Sequence, residues 1–244
     1  MSFKKCLEDS SSKIDLFIAP FKFVKNKFIT HGFLESKILY SPNGIDYKDS
    51  VYLTKNKSEA LRFGYIGILL PMKGLNVLIS AFKGVKYKNI VLSIYGKLLS
   101  YAGFESYPSL FKKMISSDSR IKYKGGYDNK DIGKILANID MLIVPSVWPE
   151  NAPLVIQEAF LFKTPVIASR IGGIPELATD TVNGLLFNPG DVNGLKERIQ
   201  YVIDNPELIE KFKENMPRVK SIEDNASEIE DIYNKLIAKM ESTE

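Results

Sequence analysis

Residues 141–169 read MLIVPSVWPENAPLVIQEAFLFKTPVIAS and contain two candidate strands with a candidate helix between them. The flanking runs Met141–Val144 and Pro165–Ala168 are apolar at nearly every position, which is typical of strands buried on both faces of a sheet. Between them, Ala152–Phe162 has the length and composition of a mostly buried helix. A strand, a helix and a strand joined by short loops predict two parallel strands with a helical crossover.

The same alternation continues on both sides of this stretch. Further strands are predicted at Arg62–Ile66, Ile90–Tyr95, Arg120–Lys124 and Leu185–Phe187, and further helices at Gly74–Phe82, Ser106–Ser116, Asn129–Asn138 and Val192–Ile203. We therefore predict an α/β fold in which a Rossmann-like parallel sheet carries helices on both faces.

The two ends of the chain depart from this pattern. Before residue 48, the sequence predicts a strand, a helix and a strand, at Ile14–Ile18, Phe21–Thr30 and Ile38–Tyr40, which is too little for a separate domain. Lys48–Glu59 is polar and predicts a linker, and two or three amphipathic helices follow Pro206, the last near Ser227–Met240. The predicted organisation is a short segment at 1–48, the sheet domain at 49–220 and a C-terminal helix at 221–244.

Composition indicates an ordinary globular protein. Its 33 basic and 29 acidic residues leave a net charge of +4, which predicts a solvated surface and no nucleic-acid partner, and leaves open weak contact with an anionic membrane. The single cysteine, Cys6, predicts a free thiol in a reducing compartment. We find neither a secretory signal nor a run of ~20 apolar residues, so the sequence predicts a cytoplasmic protein, peripheral to the membrane at most.

Glycines and a lysine follow the first strands of the predicted sheet. The strand that ends at Gly67 runs into a helix start that carries Lys73, and both suit a diphosphate, although a plain helix start with a solvated lysine explains them equally well. Tyr95-Gly96-Lys97 ends the next strand, where Gly96 fits either a ligand contact or a simple turn.

Two carboxylates flank the start of the central helix. Glu150 lies in the loop before it and Glu158 lies within it, so they would be ~12 Å apart along a helix axis. That is too far for a pair on one glycosidic bond, which needs ~5–10 Å, but it suits the two ends of one elongated ligand. Glu158 could also be a plain surface residue, but its apolar neighbours predict a mostly buried helix.

A second glycine pair follows the strand at Pro165–Ala168. Gly172 and Gly173 precede Pro175, a residue suited to the first turn of a helix, and this pattern favours an anion-binding nest over a purely conformational turn. The sequence holds no dinucleotide fingerprint and no P-loop. Its only histidine is His31, which argues against a Ser-His-Asp triad or a histidine-rich metal site.

Taken together, residues 13 to the end resemble the group-1 family of retaining glycosyltransferases, also called family 4, which has the GT-B fold. The resemblance is strongest from Pro145 to Leu186, where Glu150 and Glu158 match the family's E-x7-E element. It implies that Glu150 holds hydroxyls of the donor sugar, that Glu158 binds the ribose and that Lys73 contacts the diphosphate. Gly67, Gly96, Gly172 and Gly173 would line the donor site, and Tyr127 would lie near the base.

The resemblance also implies the ligands and the partners. The donor is a nucleotide-sugar, with UDP as the default base, and the acceptor is a saccharide or a lipid-linked molecule. No cofactor and no metal are implied. Segment 1–48 would be a remnant of the acceptor domain and the interdomain linker, so the first domain could come from a separate polypeptide, and His31 does not match that domain's catalytic histidine. Ile68 stands where the family often has an arginine.

Two other functions compete with the transferase. The chain could be a non-catalytic nucleotide-sugar-binding subunit or an inactive relic that pairs with a separate N-terminal domain. Ile68 and the short first segment favour this alternative, whereas the intact pair of Glu150 and Glu158 favours the enzyme. A nucleotide-sugar epimerase of the same architecture is the third hypothesis, and the run from Glu150 to Glu176 fits it less well.

Overall fold

A computed structural model describes residue 11, residues 13–46 and residues 54–241, with the side chain of Met240 excepted. Cys6 and residues 48–53 of the predicted linker lie outside the described residues. The described chain divides into two compact units, one formed by residues up to 48 and from 219 onward, the other by Asp49–Arg218.

The larger unit contains a six-stranded parallel sheet, as the sequence predicts. Its strands are β3 (Leu61–Ile66), β4 (Ile90–Tyr95), β5 (Ile121–Gly125), β6 (Met141–Val144), β7 (Val166–Ser169) and β8 (Gly184–Phe187). Their order in the sheet is β5-β4-β3-β6-β7-β8, and every neighbouring pair is parallel. The prediction of a Rossmann-like α/β fold is therefore confirmed.

Helices connect successive strands of this sheet, and two more follow its last strand. In the larger unit they are α2 (Leu75–Gly84), α3 (Tyr107–Ser116), α4 (Ile132–Leu136), α5 (Leu154–Leu161), α6 (Ile174–Leu177), α7 (Val192–Asp204) and α8 (Leu208–Glu214). Short 3-10 turns at Pro71–Lys73 and Asn129–Asp131 precede α2 and α4. Helix α5 begins two residues later than the predicted start at Ala152, with Pro153 at its N-cap.

The strand order determines where a ligand can bind. From β3 the chain continues to β4 and β5 on one side, whereas β6, β7 and β8 continue on the other. The loops that follow β3 and β6 therefore diverge, and they leave a crevice at the carboxyl ends of these two strands.

The expectation that all strands are buried on both faces does not hold for β5. This strand lies at the edge of the sheet, and its two lysines, Lys122 and Lys124, are exposed while Ile121 is buried. An edge strand has one neighbour only, and charged side chains there discourage pairing with other chains. The central strands β6 and β7 are buried throughout, as predicted.

Ionic contacts tie the amino ends of the strands together. Arg62 at the start of β3 donates from Nε and Nη2 to the two carboxylate oxygens of Asp140, at 3.0 and 2.7 Å. Lys55, in the segment before β3, donates to the carbonyl oxygens of Leu136 and Ile139 and to Thr164 Oγ1. This end of the sheet lies opposite the crevice, so these contacts join neighbouring strands and take no part in the crevice wall.

The pKa of Lys55 predicts a rise in stability with pH. Burial lowers this pKa from 10.5 to about 7, and the carboxylate of Asp140 opposes the shift. Above pH 7 the folded chain has released a proton that the unfolded chain still binds, so the free energy of unfolding increases with pH. We expect an increase of about 2 kcal/mol between pH 7 and 9 in urea denaturation. Lys55→Met should lose this increase, whereas Lys57→Met, at an exposed position of the same segment, should keep it.

The smaller unit has a short parallel pair, β1 (Phe17–Ala19) with β2 (Ile38–Tyr40), joined by helix α1 (Lys22–Thr30). Three aromatic rings pack together beside them, those of Phe17, Phe28 and Phe33. The long helix α9 (Ile222–Glu241) belongs to the same unit, where Ile45 and the residue before α9 form a parallel bridge.

Several large apolar side chains of this smaller unit are exposed, including Ile18 and Leu34. None of the helices in the described part of the chain combines the length and the apolar character needed to cross a membrane.

Candidate functional site

A cavity of about 430 Å³ opens at the carboxyl ends of β3 and β6. It lies in the crevice that the strand order predicts, and its wall includes the loop after each strand and the first turns of α5. Lys73 and Glu150 line one part, and Tyr127, Asn129 and Glu158 line another. The four predicted site residues with polar side chains come from three separate stretches of the sequence and meet in one cavity.

Lys73 is placed by a close contact between two loops. The amide of Val147 donates to the carbonyl oxygen of Met72 at 3.0 Å, which fixes the loop after β6 to the turn that carries Lys73. Gly74 follows in a left-handed conformation with φ of +71°, and a Cβ atom there would overlap the carbonyl oxygen of Pro145. Only glycine allows this approach, so the backbone itself places Lys73 opposite the loop of Glu150.

Glu150 accepts hydrogen bonds from two side chains. The Nζ of Lys73 lies 2.7 and 3.0 Å from its two carboxylate oxygens, and the Oγ of Ser146 donates to Oε1. The pair is partly buried, with the carboxylate side chain 14% exposed and the lysine side chain 32% exposed. Lys73 and Glu150 therefore form an ion pair where the sequence predicted two separate ligand contacts.

The backbone of Glu150 is fixed as well. Its carbonyl oxygen accepts the amide of Gly173 at 2.8 Å, and Gly172, with φ of +61°, packs so closely that a Cβ would overlap the same carbonyl. The amide of Gly173 is thus already bonded within the protein. In this conformation it positions Glu150 and is not free to donate to a phosphate.

The other part of the cavity contains Glu158 on α5. Burial raises the pKa of Glu158, and a side-chain hydrogen bond from Asn129 acts in the opposite direction. Burial also raises the pKa of Tyr127, and the nearby charge of Glu158 adds to this shift. A partly buried carboxylate beside a phenol and an amide can accept hydrogen bonds from hydroxyl groups of a ligand.

Tyr65, near the end of β3, lines the cavity next to the loop that follows this strand. Its hydroxyl group donates to the carbonyl oxygen of Ile68 at 2.8 Å, and burial raises the pKa of Tyr65. Ile68 lines the cavity and is 49% exposed. At the position where the family often has a second cation, this chain therefore presents an apolar side chain to the ligand.

The predicted glycines differ in their placement. All four predicted glycines lie in the part of the chain that the structure describes. Gly67 lines the cavity, and Gly96, Gly172 and Gly173 do not. A Cβ at Gly96 would overlap the carbonyl oxygen of Gly67, so Gly96 lets the loops after β3 and β4 approach each other. Within the described residues, no group of three or more histidine, cysteine or acidic side chains is placed to hold a metal ion.

Comparison with known proteins identifies the family. The sequence profile described as glycosyl transferases group 1 matches residues 53–219, which include every side chain of the cavity. The chain belongs to this family.

One curated relative and two solved structures illustrate the similarity, the structures at the level of the fold. An uncharacterized glycosyltransferase of Methanocaldococcus jannaschii is 30% identical over 84% of this chain and 54% of its own length. A glycosyltransferase from Rickettsia africae has a similar structure, with a TM-score of 0.82 at 22% identity, covering 96% of this chain and 67% of the other. Anabaena HepE, solved in complex with UDP and glucose, gives a TM-score of 0.79 at 22% identity with the same coverage. The chain spans about half the length of the curated relatives that it matches.

Three polar residues that line the cavity were not predicted from the sequence. Ser146 stands in the Pro145-Ser146 run that carries the resemblance, but nothing in the pattern pairs it with Glu150. Asn129 stands at the start of a predicted helix, and Tyr65 in a predicted strand, and neither position suggests a ligand. Their location in the cavity follows from the packing of separate loops.

Proposed function

We propose that this chain binds the nucleotide-sugar donor of a retaining, family 4 glycosyltransferase with the GT-B fold, and that it is the donor-binding half of that enzyme. One observation carries the proposal: the crevice between β3 and β6 holds a cation paired with a carboxylate, and a second, partly buried carboxylate beside Tyr127 and Asn129. An elongated ligand with a sugar, a diphosphate and a ribose fits these groups in that order.

Each side chain then has a defined part in the transfer. The bond between the anomeric carbon and the diphosphate oxygen breaks, a bond to a hydroxyl oxygen of the acceptor forms, and the proton of that hydroxyl group passes to the departing diphosphate. Negative charge accumulates on the departing diphosphate, where the ammonium group of Lys73 neutralises it. Glu150 accepts hydrogen bonds from the sugar hydroxyls, and Glu158 accepts them from the ribose. The acceptor is a saccharide or a lipid-linked molecule, bound by another part of the enzyme, and the reaction takes place in the cytoplasm.

The test is a calorimetric titration of the chain with UDP, GDP and ADP and with their hexose conjugates. UDP is the first choice, since the similar structure of HepE was solved with UDP and glucose. Lys73 supplies the positive charge that a divalent metal supplies in other enzymes, so each titration is run with and without EDTA. Saturable binding of one nucleotide is expected, and no binding at millimolar concentration by the folded chain would refute the proposal.

The substitution Glu158→Gln is expected to separate ligand affinity from stability. It removes the cost of burying a charge but keeps an oxygen that can accept the hydrogen bond of Asn129, so the free energy of unfolding should increase by about 0.5–2 kcal/mol. Nucleotide affinity should decrease about fivefold, because a neutral acceptor binds hydroxyl groups less strongly than a charged one. Urea denaturation and calorimetry measure the two effects.

The pH dependence of binding provides the control. Because the pKa of Glu158 is raised, the carboxylate takes up a proton at a higher pH than an exposed glutamate does. Nucleotide affinity of the unmodified chain should therefore fall as the pH is lowered toward that pKa, and the affinity of Glu158→Gln should not follow this titration. Equal affinities and equal pH profiles for the two proteins would contradict a ribose contact at Glu158.

A further inference from the structure

The ion pair of Lys73 and Glu150 presents a problem for ligand binding. The ammonium group that the diphosphate needs is already bonded to both oxygens of the carboxylate, at 2.7 and 3.0 Å. A diphosphate that draws Lys73 toward itself removes the cation from a carboxylate that is only 14% exposed. A buried charge left without partners is costly, so some other group must hold Glu150 when Lys73 moves.

Ser146 is placed to hold it. The Oγ of Ser146 donates to Oε1 of Glu150, and this serine is 2% exposed, so water does not compete for its hydroxyl group. Four residues separate the two along the loop after β6, which is fixed by the bond from the Val147 amide to Met72. The bond from Gly173 fixes the backbone of Glu150. The serine therefore stays in place whichever partner Lys73 has.

We infer that Ser146 is a positioning residue that keeps the carboxylate of Glu150 in the cavity when the donor diphosphate takes Lys73 away from it. This inference rests on the proposed function and extends it. When Lys73 exchanges its bonds to Glu150 for bonds to the diphosphate, the hydrogen bond from Ser146 to Glu150 persists. Glu150 then has free lone pairs for the sugar hydroxyls, in an orientation that the serine determines.

A double-mutant cycle tests this role. In calorimetry with the nucleoside diphosphate hexose that the unmodified chain binds, Ser146→Ala should weaken binding about fivefold, the effect of one hydrogen bond of typical net strength. In a chain that already carries Glu150→Ala, adding Ser146→Ala should change the affinity less than twofold, because the group that it positions is absent. Ser146→Cys keeps the approximate size of the side chain with a weak donor, and should resemble Ser146→Ala.

The matched control is Ser169→Ala. Ser169 is completely buried at the end of the neighbouring strand β7, and its Oγ donates to the carbonyl oxygen of Val144 at 3.4 Å, away from Glu150. This variant should bind the nucleotide-sugar as the unmodified chain does. Thermal denaturation of all variants verifies that they are folded.

The outcomes are distinct. A loss of affinity in Ser146→Ala that is equally large in the Glu150→Ala background would mean that Ser146 acts on the general structure, and would overturn the inference. An unchanged affinity in Ser146→Ala would overturn it as well. If the unmodified chain binds none of the nucleotide-sugars, the proposed function fails first, and the inference fails with it.

Discussion

Replacing Lys73 with alanine is expected to weaken nucleoside diphosphate binding by roughly 10- to 150-fold, the range for a hydrogen bond to a charged group. The expectation follows from the place of Lys73 in the cavity wall, where its side chain is 32% exposed, at the switch point of the sheet. Ile68, at the position of a possible second cation, has no charge to compensate for the loss. Calorimetry with the nucleoside diphosphate measures the change.

Lys83→Ala provides the control for a change in net charge. Lys83 is on α2, and its Nζ contacts the Oγ of Ser117 at an exposed site outside the cavity. This variant loses the same positive charge, so any general electrostatic attraction decreases equally in both proteins. If Lys73→Ala binds the diphosphate within twofold of Lys83→Ala, Lys73 does not contact the phosphates.

Salt dependence adds an independent criterion. A lysine that pairs with a diphosphate contributes an attraction that is screened as ionic strength rises, although a partly buried contact is screened less than an exposed one. Diphosphate affinity of the unmodified chain should therefore fall with added salt more steeply than that of Lys73→Ala. If the affinities of the two proteins fall equally with added salt, Lys73 acts only through its ion pair with Glu150.

The central strands could be predicted from the sequence because burial on both faces leaves a direct pattern. Met141–Val144 and Ile90–Tyr95 were predicted with the bounds that the structure has, and the other four strands of the sheet differ by one residue at one or both ends. Burial against two layers of helices selects apolar residues at successive positions, so the signal is local. The edge strand β5 carries alternating lysines, and its exposure depends on a strand order that no local pattern contains.

The candidate site was predictable in part. Gly67, Lys73, Glu150 and Glu158 follow or flank strand ends, and because carboxyl ends of parallel strands share one edge, their meeting in one cavity could be expected. The contacts that these side chains make with one another could not be predicted from the sequence. Lys73 and Glu150 are 77 positions apart, and their pairing requires β3 and β6 to be neighbours. That order is set by the packing of the whole sheet.

The contacts of the predicted glycines could not be predicted from the sequence either. Gly173 was predicted to offer its amide to an anion, but the amide donates to the carbonyl oxygen of Glu150. A glycine before a helix fits both uses, and the sequence does not record which acceptor lies opposite. Gly96 was predicted to line the site, and instead it allows a close approach between two loops.

Replacing Gly74 with alanine is expected to cause the largest loss of stability among the variants considered, about 2–5 kcal/mol. Two costs add at this position. The left-handed backbone conformation, with φ of +71°, costs ~1–2 kcal/mol for a residue with a Cβ. The new methyl group would also overlap the carbonyl oxygen of Pro145, and relieving this overlap costs ~1–3 kcal/mol more. Urea denaturation measures the sum.

Gly190→Ala separates the two costs. Gly190 has almost the same backbone conformation, with φ of +77°, but a Cβ there would meet no atom within 4 Å. Its substitution should cost only the conformational part, about 1–2 kcal/mol, and should leave nucleotide binding unchanged. Gly74→Ala should also weaken nucleotide binding in the molecules that remain folded, because the overlap forces Lys73 and the loop of Glu150 apart. Equal destabilisation by the two substitutions would show that the loops after β3 and β6 are not held together by this contact, and the placement of Lys73 opposite Glu150 would then need another cause.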